Sequence, residues 1–158
     1  MTAPLVGAWL GEGARRVTSH DVVVSESPQV AYRAILELPL ADLPVTRALF
    51  RIRGIAYDRG MTVKQLFTSP PFRLLEETVS SEIVFEIARS GFRAVGNIRV
   101  EPLRLGARIS TATWVETWGW LATASFRAYW LVVAPFSRWI RREMLRAAKR
   151  RAERRASA

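Results

Sequence analysis

Cysteine is absent from this chain, and histidine occurs once, as His20. Without thiols there is no disulfide, no thiolate nucleophile, no zinc knuckle and no cysteine-held iron–sulfur cluster. A single imidazole also excludes the two-histidine zinc motifs. No metal and no cofactor is therefore expected. Glycine-rich phosphate loops are missing as well: Gly11-Glu12-Gly13 stands ahead of the first strand-like segment rather than behind one. Acidic residues are few, 14 against 24 basic ones, which leaves a net charge of +10. Lysine is nearly absent, with two residues against 22 arginines.

Long apolar runs are scarce too. Leu5 to Leu10 is short and has no basic residue before it, unlike a secretory signal. Trp118 to Phe136 is nineteen residues with Arg127 as its only charge, close to the length of a membrane span. Arg127 near its middle, Pro135 near its end and a strand-like segment running into it all count against a span.

What remains is ordinary globular material, 49% apolar and 24% charged over 158 residues. That length suits one domain, which buries roughly 70% of its unfolded surface and needs no covalent staple. We expect a loose leader over 1–19, a single domain over 20–154 and a disordered tail over 155–158. The lack of cysteine fits a reducing cytoplasm without requiring one.

His20 to Ser25 is β-rich and stops at Ser27-Pro28, a cap and first-turn pair that opens a helix. Gln29 to Leu38 then carries Val30, Ala34, Ile35 and Leu38 on one face, up to Pro39. Asp42-Leu43-Pro44 starts a second short helix through Val45, Leu49 and Ile52 to Gly54. Met61 to Phe67 fits neither period. Beyond Pro70-Pro71 the pattern alternates. Phe72 to Thr78 and Glu82 to Ala88 are strands, the latter with Ile83, Phe85 and Ile87 on one face. Ala94, Gly96, Ile98 and Val100 alternate with Arg93, Asn97 and Arg99. Ile109, Thr111, Thr113 and Val115 alternate with Ser110, Ala112, Trp114 and Glu116. Such segments joined by short turns form an antiparallel meander with one covered face. From about Thr123, steps of three and four return through Phe126, Tyr129, Trp130, Val133, Phe136, Ile140, Met144 and Ala148. Pro135 must kink or restart this helix. The fold class is α+β.

In that order, Val22-Val23-Val24 followed by Ser27-Pro28-Gln29-Val30-Ala31-Tyr32 resembles the opening of the START-like helix-grip (SRPBCC) superfamily. Asn97 to Pro102, Arg108 to Thr111, Tyr129-Trp130 and Ile140 to Leu145 resemble the later strands and terminal helix of its uncharacterised bacterial members. The resemblance spans roughly 20–154. It implies a curved antiparallel sheet wrapped around a long C-terminal helix, two short helices after strand one, and an apolar cavity between sheet and helix. Members bind lipids, sterols, polyketides and other hydrophobic molecules, and some catalyse cyclisation or hydration. The implied lining here is Tyr32, Ile35, Leu49, Arg53, Phe85, Ile98, Thr111, Thr113, Phe126, Trp130 and Val133. The stretch from Ile83 to Ile98 is short and rich in small residues, so trimmed middle strands are expected, which leaves the size of the cavity open.

Candidate chemistry is sparse. His20 beside Asp21 invites a general base, but neighbours on a strand point to opposite faces, and both stand at the strand's solvated start. Glu76 and Glu77 diverge for the same reason. Glu116 falls on the face away from Thr111 and Thr113, toward solvent. The two threonines share the inward face, where sparse hydroxyls can orient a ligand, with Arg53 and Tyr32 as companions; threonine also simply favours strands. The C-terminal aromatic stripe reads as core, and in a helix-grip fold core and lining overlap. From Arg138 to Arg155 nine basic residues face two acidic ones. Arg138, Arg142, Lys149 and Arg150 lie off the apolar stripe, as either a solvated face or a surface for an anionic membrane. No nucleic-acid motif accompanies the charge, which disfavours that partner.

The leading expectation is a hydrophobic small-molecule or lipid binder, cytoplasmic or peripheral at a membrane. The alternatives are a cyclase or hydratase working in the same cavity, and an interaction module built on the basic helix.

Overall fold

The computed structural model describes residues 4–52, 54, 57, 58 and 60–156, with backbone alone at 132, 133, 155 and 156. Arg53 lies outside the described residues, as does the side chain of Val133.

The first strand, β1 (Arg15–Val24), is followed by α1 (Pro28–Leu36), α2 (Pro44–Ile52) and α3 (Val63–Thr68). Four strands come next, β2 (Arg73–Thr78), β3 (Glu82–Arg89), β4 (Phe92–Leu103) and β5 (Gly106–Thr117), and then α4 (Trp120–Ala156). The sheet runs β1-β5-β4-β3-β2, antiparallel throughout. The meander from β2 to β5 is thus closed by β1, which returns the start of the chain to the side of the last strand.

Local chemistry explains the helices. The Ser27 hydroxyl accepts from the Val30 amide at 3.3 Å, with Pro28 in the first turn of α1. Thr62 and Gln65 form a reciprocal capping box that starts α3. That motif resolves the stretch whose periodicity is ambiguous and adds a third short helix to the expected two.

On the inner face, Ile83, Ile98, Val100 and Ile109 meet α1 and the C-terminal half of α4 in one packed core with Met144, Leu145, Ala147 and Ala148. β3 has 8 residues and β4 has 12. The middle strands are not trimmed, because the chain reverses tightly at Gly91, whose φ of +86° suits glycine. α4 runs unbroken for 37 residues with Pro135 inside it, so the proline does not restart the helix. Its missing N–H deprives only the Leu131 carbonyl of its helical partner.

The segment expected to be a loose leader is built into the fold. β1 begins at Arg15, where Arg15 and Arg16 pair with Val115 and Trp114. Leu5–Trp9 forms a 3₁₀ turn on the sheet's outer face. There the Glu82 carboxylate, 2% exposed, accepts from the Leu5 and Val6 amides at 2.9 and 3.4 Å and from Asn97 Nδ2 at 2.7 Å. Glu116 accepts from the Gly11 amide at 2.7 Å, so it faces away from the helix as parity requires but lies under this strap rather than in open solvent. At the other end, α4 continues to Ala156, into the stretch read as tail.

Candidate ligand cleft

One end of the inner face is not filled. α1 and the C-terminal half of α4 cover the Ile83–Ile98–Ile109 end of the sheet, while the N-terminal half of α4 spans the other end over a cleft of about 930 Å³. Phe85, Ile87, Ala94, Gly96, Thr113 and Val115 form its floor. Phe126, Tyr129, Trp130, Phe136, Ile140 and Arg141 of α4 form its roof, and Leu49, Phe50 and Ile52 of α2 with Leu66 and Phe67 of α3 close a side. This volume sits at the upper end of the ~300–1,000 Å³ usual for small-molecule sites.

Two aromatic groups frame the space. The Phe67 and Phe85 rings stack with centroids 4.0 Å apart, and Phe72 meets both edge-on. Phe126 stacks on Trp130 at 5.7 Å and leans on Phe92 at 5.5 Å. Gly96 makes the first group possible, since a β-carbon there would stand 2.6 Å from the Phe85 ring. An isolated glycine within an alternating strand is the sequence signal of such a close approach.

The expected lining divides. Leu49, Phe85, Thr113, Phe126 and Trp130 line the cleft. Tyr32, Ile35 and Ile98 do not: α1 packs against the sheet, and all three are buried in the core. The Tyr32 hydroxyl donates to Glu77 Oε1 at 2.7 Å, and burial together with that carboxylate raises the phenol's pKa. Thr111, 1% exposed, lies beneath Arg141. Tyr129, Phe136 and Arg141 are additions.

Arg141 is the polar centre of the cleft. Its two terminal nitrogens donate to Thr111 Oγ1 and Thr113 Oγ1. Loss of hydration pulls its pKa down to about 10. Its position was legible in part: Ser137, Met144 and Leu145 at steps of four, three and four put an arginine on an apolar helix face.

His20 proves to lie mid-strand, opposite Thr111, on the face turned to α4, rather than at a solvated strand start. Burial lowers its pKa, and Arg141, Arg142 and Arg138 lower it further. Asp21 points the other way and pairs with Arg108 at 3.8 Å, so the two form no catalytic couple.

The four basic residues expected at an anionic surface also separate. Arg138 and Arg142 are exposed on α4. Lys149 donates to the Val23 carbonyl at 3.0 Å and pairs with Glu153 at 3.5 Å. Arg150 borders a small polar recess with Arg154 and Asp42.

No family model matches the chain, and no curated protein matches it. Solved structures do. Over 92% of this chain, with 15% identity and a TM-score of 0.50, it superposes on the di-domain ARO/CYC StfQ from the steffimycin biosynthetic pathway, of which it spans 53%. The chain has the helix-grip fold. Other solved structures that match are Ara h 8.0201, at 8% identity over 89% of this chain and 98% of that one with a TM-score of 0.44, and MLL2253 from Mesorhizobium loti, at 10% over 84% and 98% with 0.42. Identities this low concern the fold alone.

Proposed function

We propose that this helix-grip chain binds an apolar, drug-sized molecule in the cleft between its sheet and the N-terminal half of α4. One observation carries the reading: a space of about 930 Å³ with aromatic and aliphatic walls and, among the described lining residues, two charged ones, Arg89 and Arg141. Burying apolar ligand surface there contributes about 25 cal/mol per Å². Neither a carboxylate nor an imidazole is among the described lining residues, which supports binding over a cyclase or hydratase reaction that needs an acid–base pair. The neutral fluorophore N-phenyl-1-naphthylamine should bind saturably, one per chain, with a dissociation constant on the order of 10 μM. A titration without saturation disposes of the reading.

A second reading, contact with an anionic membrane surface, has its own observation. On the face of α4 opposite the cleft, Trp120, Leu121, Leu131 and Trp139 are 78, 62, 79 and 55% exposed. They are interleaved with the exposed Arg127, Arg138 and Arg142, and no acidic residue occurs from 117 to 142. Large apolar side chains among arginines suit a helix lying in an anionic lipid interface. Among the described residues no helix is long and apolar enough to cross the bilayer. The protein should co-sediment with phosphatidylglycerol-containing vesicles and not with pure phosphatidylcholine, and W120A/L131A should weaken that binding about tenfold or more. Equal behaviour on both vesicles removes the reading.

A further inference from the structure

The roof of the cleft holds a cation that its apolar surroundings do not explain. Arg141 carries five N–H donors, of which the threonine hydroxyls take two, leaving three for another acceptor. Among the described residues no carboxylate lies within salt-bridge distance of it. The cations nearest in the sequence of α4, Arg138 and Arg142, carry the same sign, and the neutral form of His20 is favoured beside them. The hydroxyl Oγ1 of Thr18, a residue 8% exposed, is buried without a hydrogen-bond partner on β1 opposite Thr113. The irregular register between Arg16 and Thr18 brings it there. A desolvated guanidinium held in place by two hydroxyls, at the wall of an apolar space and without its own anion, is costly unless something negative completes it.

We infer that Arg141 anchors the acid group of the ligand, so that the cleft takes an amphipathic carboxylic acid, its carboxylate on the guanidinium and its hydrocarbon body between the aromatic groups. This rests on the cleft being the binding site and adds the ligand's chemical class. A carboxylate accepts charge-assisted N–H bonds from Arg141, and the planar donor fork sets its orientation. Bound this way, the acid supplies the negative charge that the lining lacks. An ester of the same body keeps the apolar contacts and gives up the charge. The desolvation that pulls the Arg141 pKa to about 10 still leaves it cationic near neutrality, where the ligand's carboxylic acid is ionised as well.

The test compares acids with their methyl esters by isothermal titration at neutral pH, using palmitate for a fatty chain and anthracene-9-carboxylate for an aromatic body. At least one acid should bind about tenfold or more tightly than its ester, and the pair that shows the preference identifies the body. Arg141→Met should bring acid and ester together by weakening the acid and leaving the ester. Arg104→Gln, on the exposed turn between β4 and β5 and outside the lining, should leave the preference intact. Equal binding of acid and ester in both pairs overturns the inference while leaving the apolar cleft standing. A preference that survives Arg141→Met, or disappears with Arg104→Gln, also overturns it. Retention of neither acids nor esters removes both the inference and the binding function beneath it. If Arg141→Met fails to fold, Arg141→Lys, which keeps a charge but loses the planar fork, should narrow the preference, and an unaltered preference overturns the inference.

Discussion

Glu143→Ala should lower the unfolding free energy by about 3 kcal/mol, because it strips the cap from a neighbouring helix rather than a surface charge from its own. The Glu143 carboxylate reaches from α4 to the start of α2, where it accepts from the Val45 amide, the Thr46 amide and the Thr46 hydroxyl at 2.7, 2.8 and 2.7 Å. α2 opens on Pro44 behind Leu43, whose side chain has no acceptor to offer, so this carboxylate satisfies the first-turn donors and faces the positive end of the helix dipole. Thr46 is 1% exposed, and water does not readily replace the lost acceptor. For a chain of this size the loss corresponds to a fall in melting temperature of roughly 6–12 °C, measurable by circular dichroism. Glu153→Ala, which removes a partly exposed partner of Lys149 one helical turn away, should cost about 0.5 kcal/mol or less. Equal losses for the two would show that the contact to α2 contributes nothing particular. Since α2 supplies Leu49, Phe50 and Ile52 to the cleft wall, the first substitution should weaken ligand binding as well.

Ala94→Trp should have the opposite character, abolishing binding while sparing the fold. Ala94 sits on β4 between Ile87 and Val115, and all three side chains form the cleft floor. An indole there projects into open space, so the strain of forcing methylenes into a packed core does not arise and stability should change by about 1 kcal/mol or less. The indole occupies the volume that a ligand would use, and the affinity for N-phenyl-1-naphthylamine should fall about a hundredfold. A melt and a fluorescence titration on the same sample separate the two effects. Unchanged affinity would place any apolar binding elsewhere on the protein.

Strand alternation showed in advance which side chains of β3, β4 and β5 turn toward α4, because a period of two leaves only one choice of face. It did not show which part of that face is filled. Ile98 and Ala94 belong to the same row, yet Ile98 is packed beneath the core and Ala94 looks into the cleft. The position of α1 along the sheet decides between them, and no local pattern encodes it. Tyr32 and Ile35 were misplaced for the same reason.

One feature was invisible and another only half legible because their partners lie far away in sequence. Nothing in Leu5 to Leu10 points to Glu82, 77 residues beyond Leu5, so the segment reads as a leader until the sheet presents a buried carboxylate to its amides. Arg141 likewise looks like one more arginine in a basic run. Its role depends on two threonines 30 and 28 residues earlier that meet it only after the sheet has formed.

Local sequence alone therefore determined the elements, their faces, the caps of α1 and α3 and the absence of thiol and two-histidine chemistry, because each depends on near neighbours or on composition. Tertiary structure decided where the apolar face stays open and which cation faces it. Both depend on how far a 37-residue helix overhangs a sheet that α1 covers at only one end.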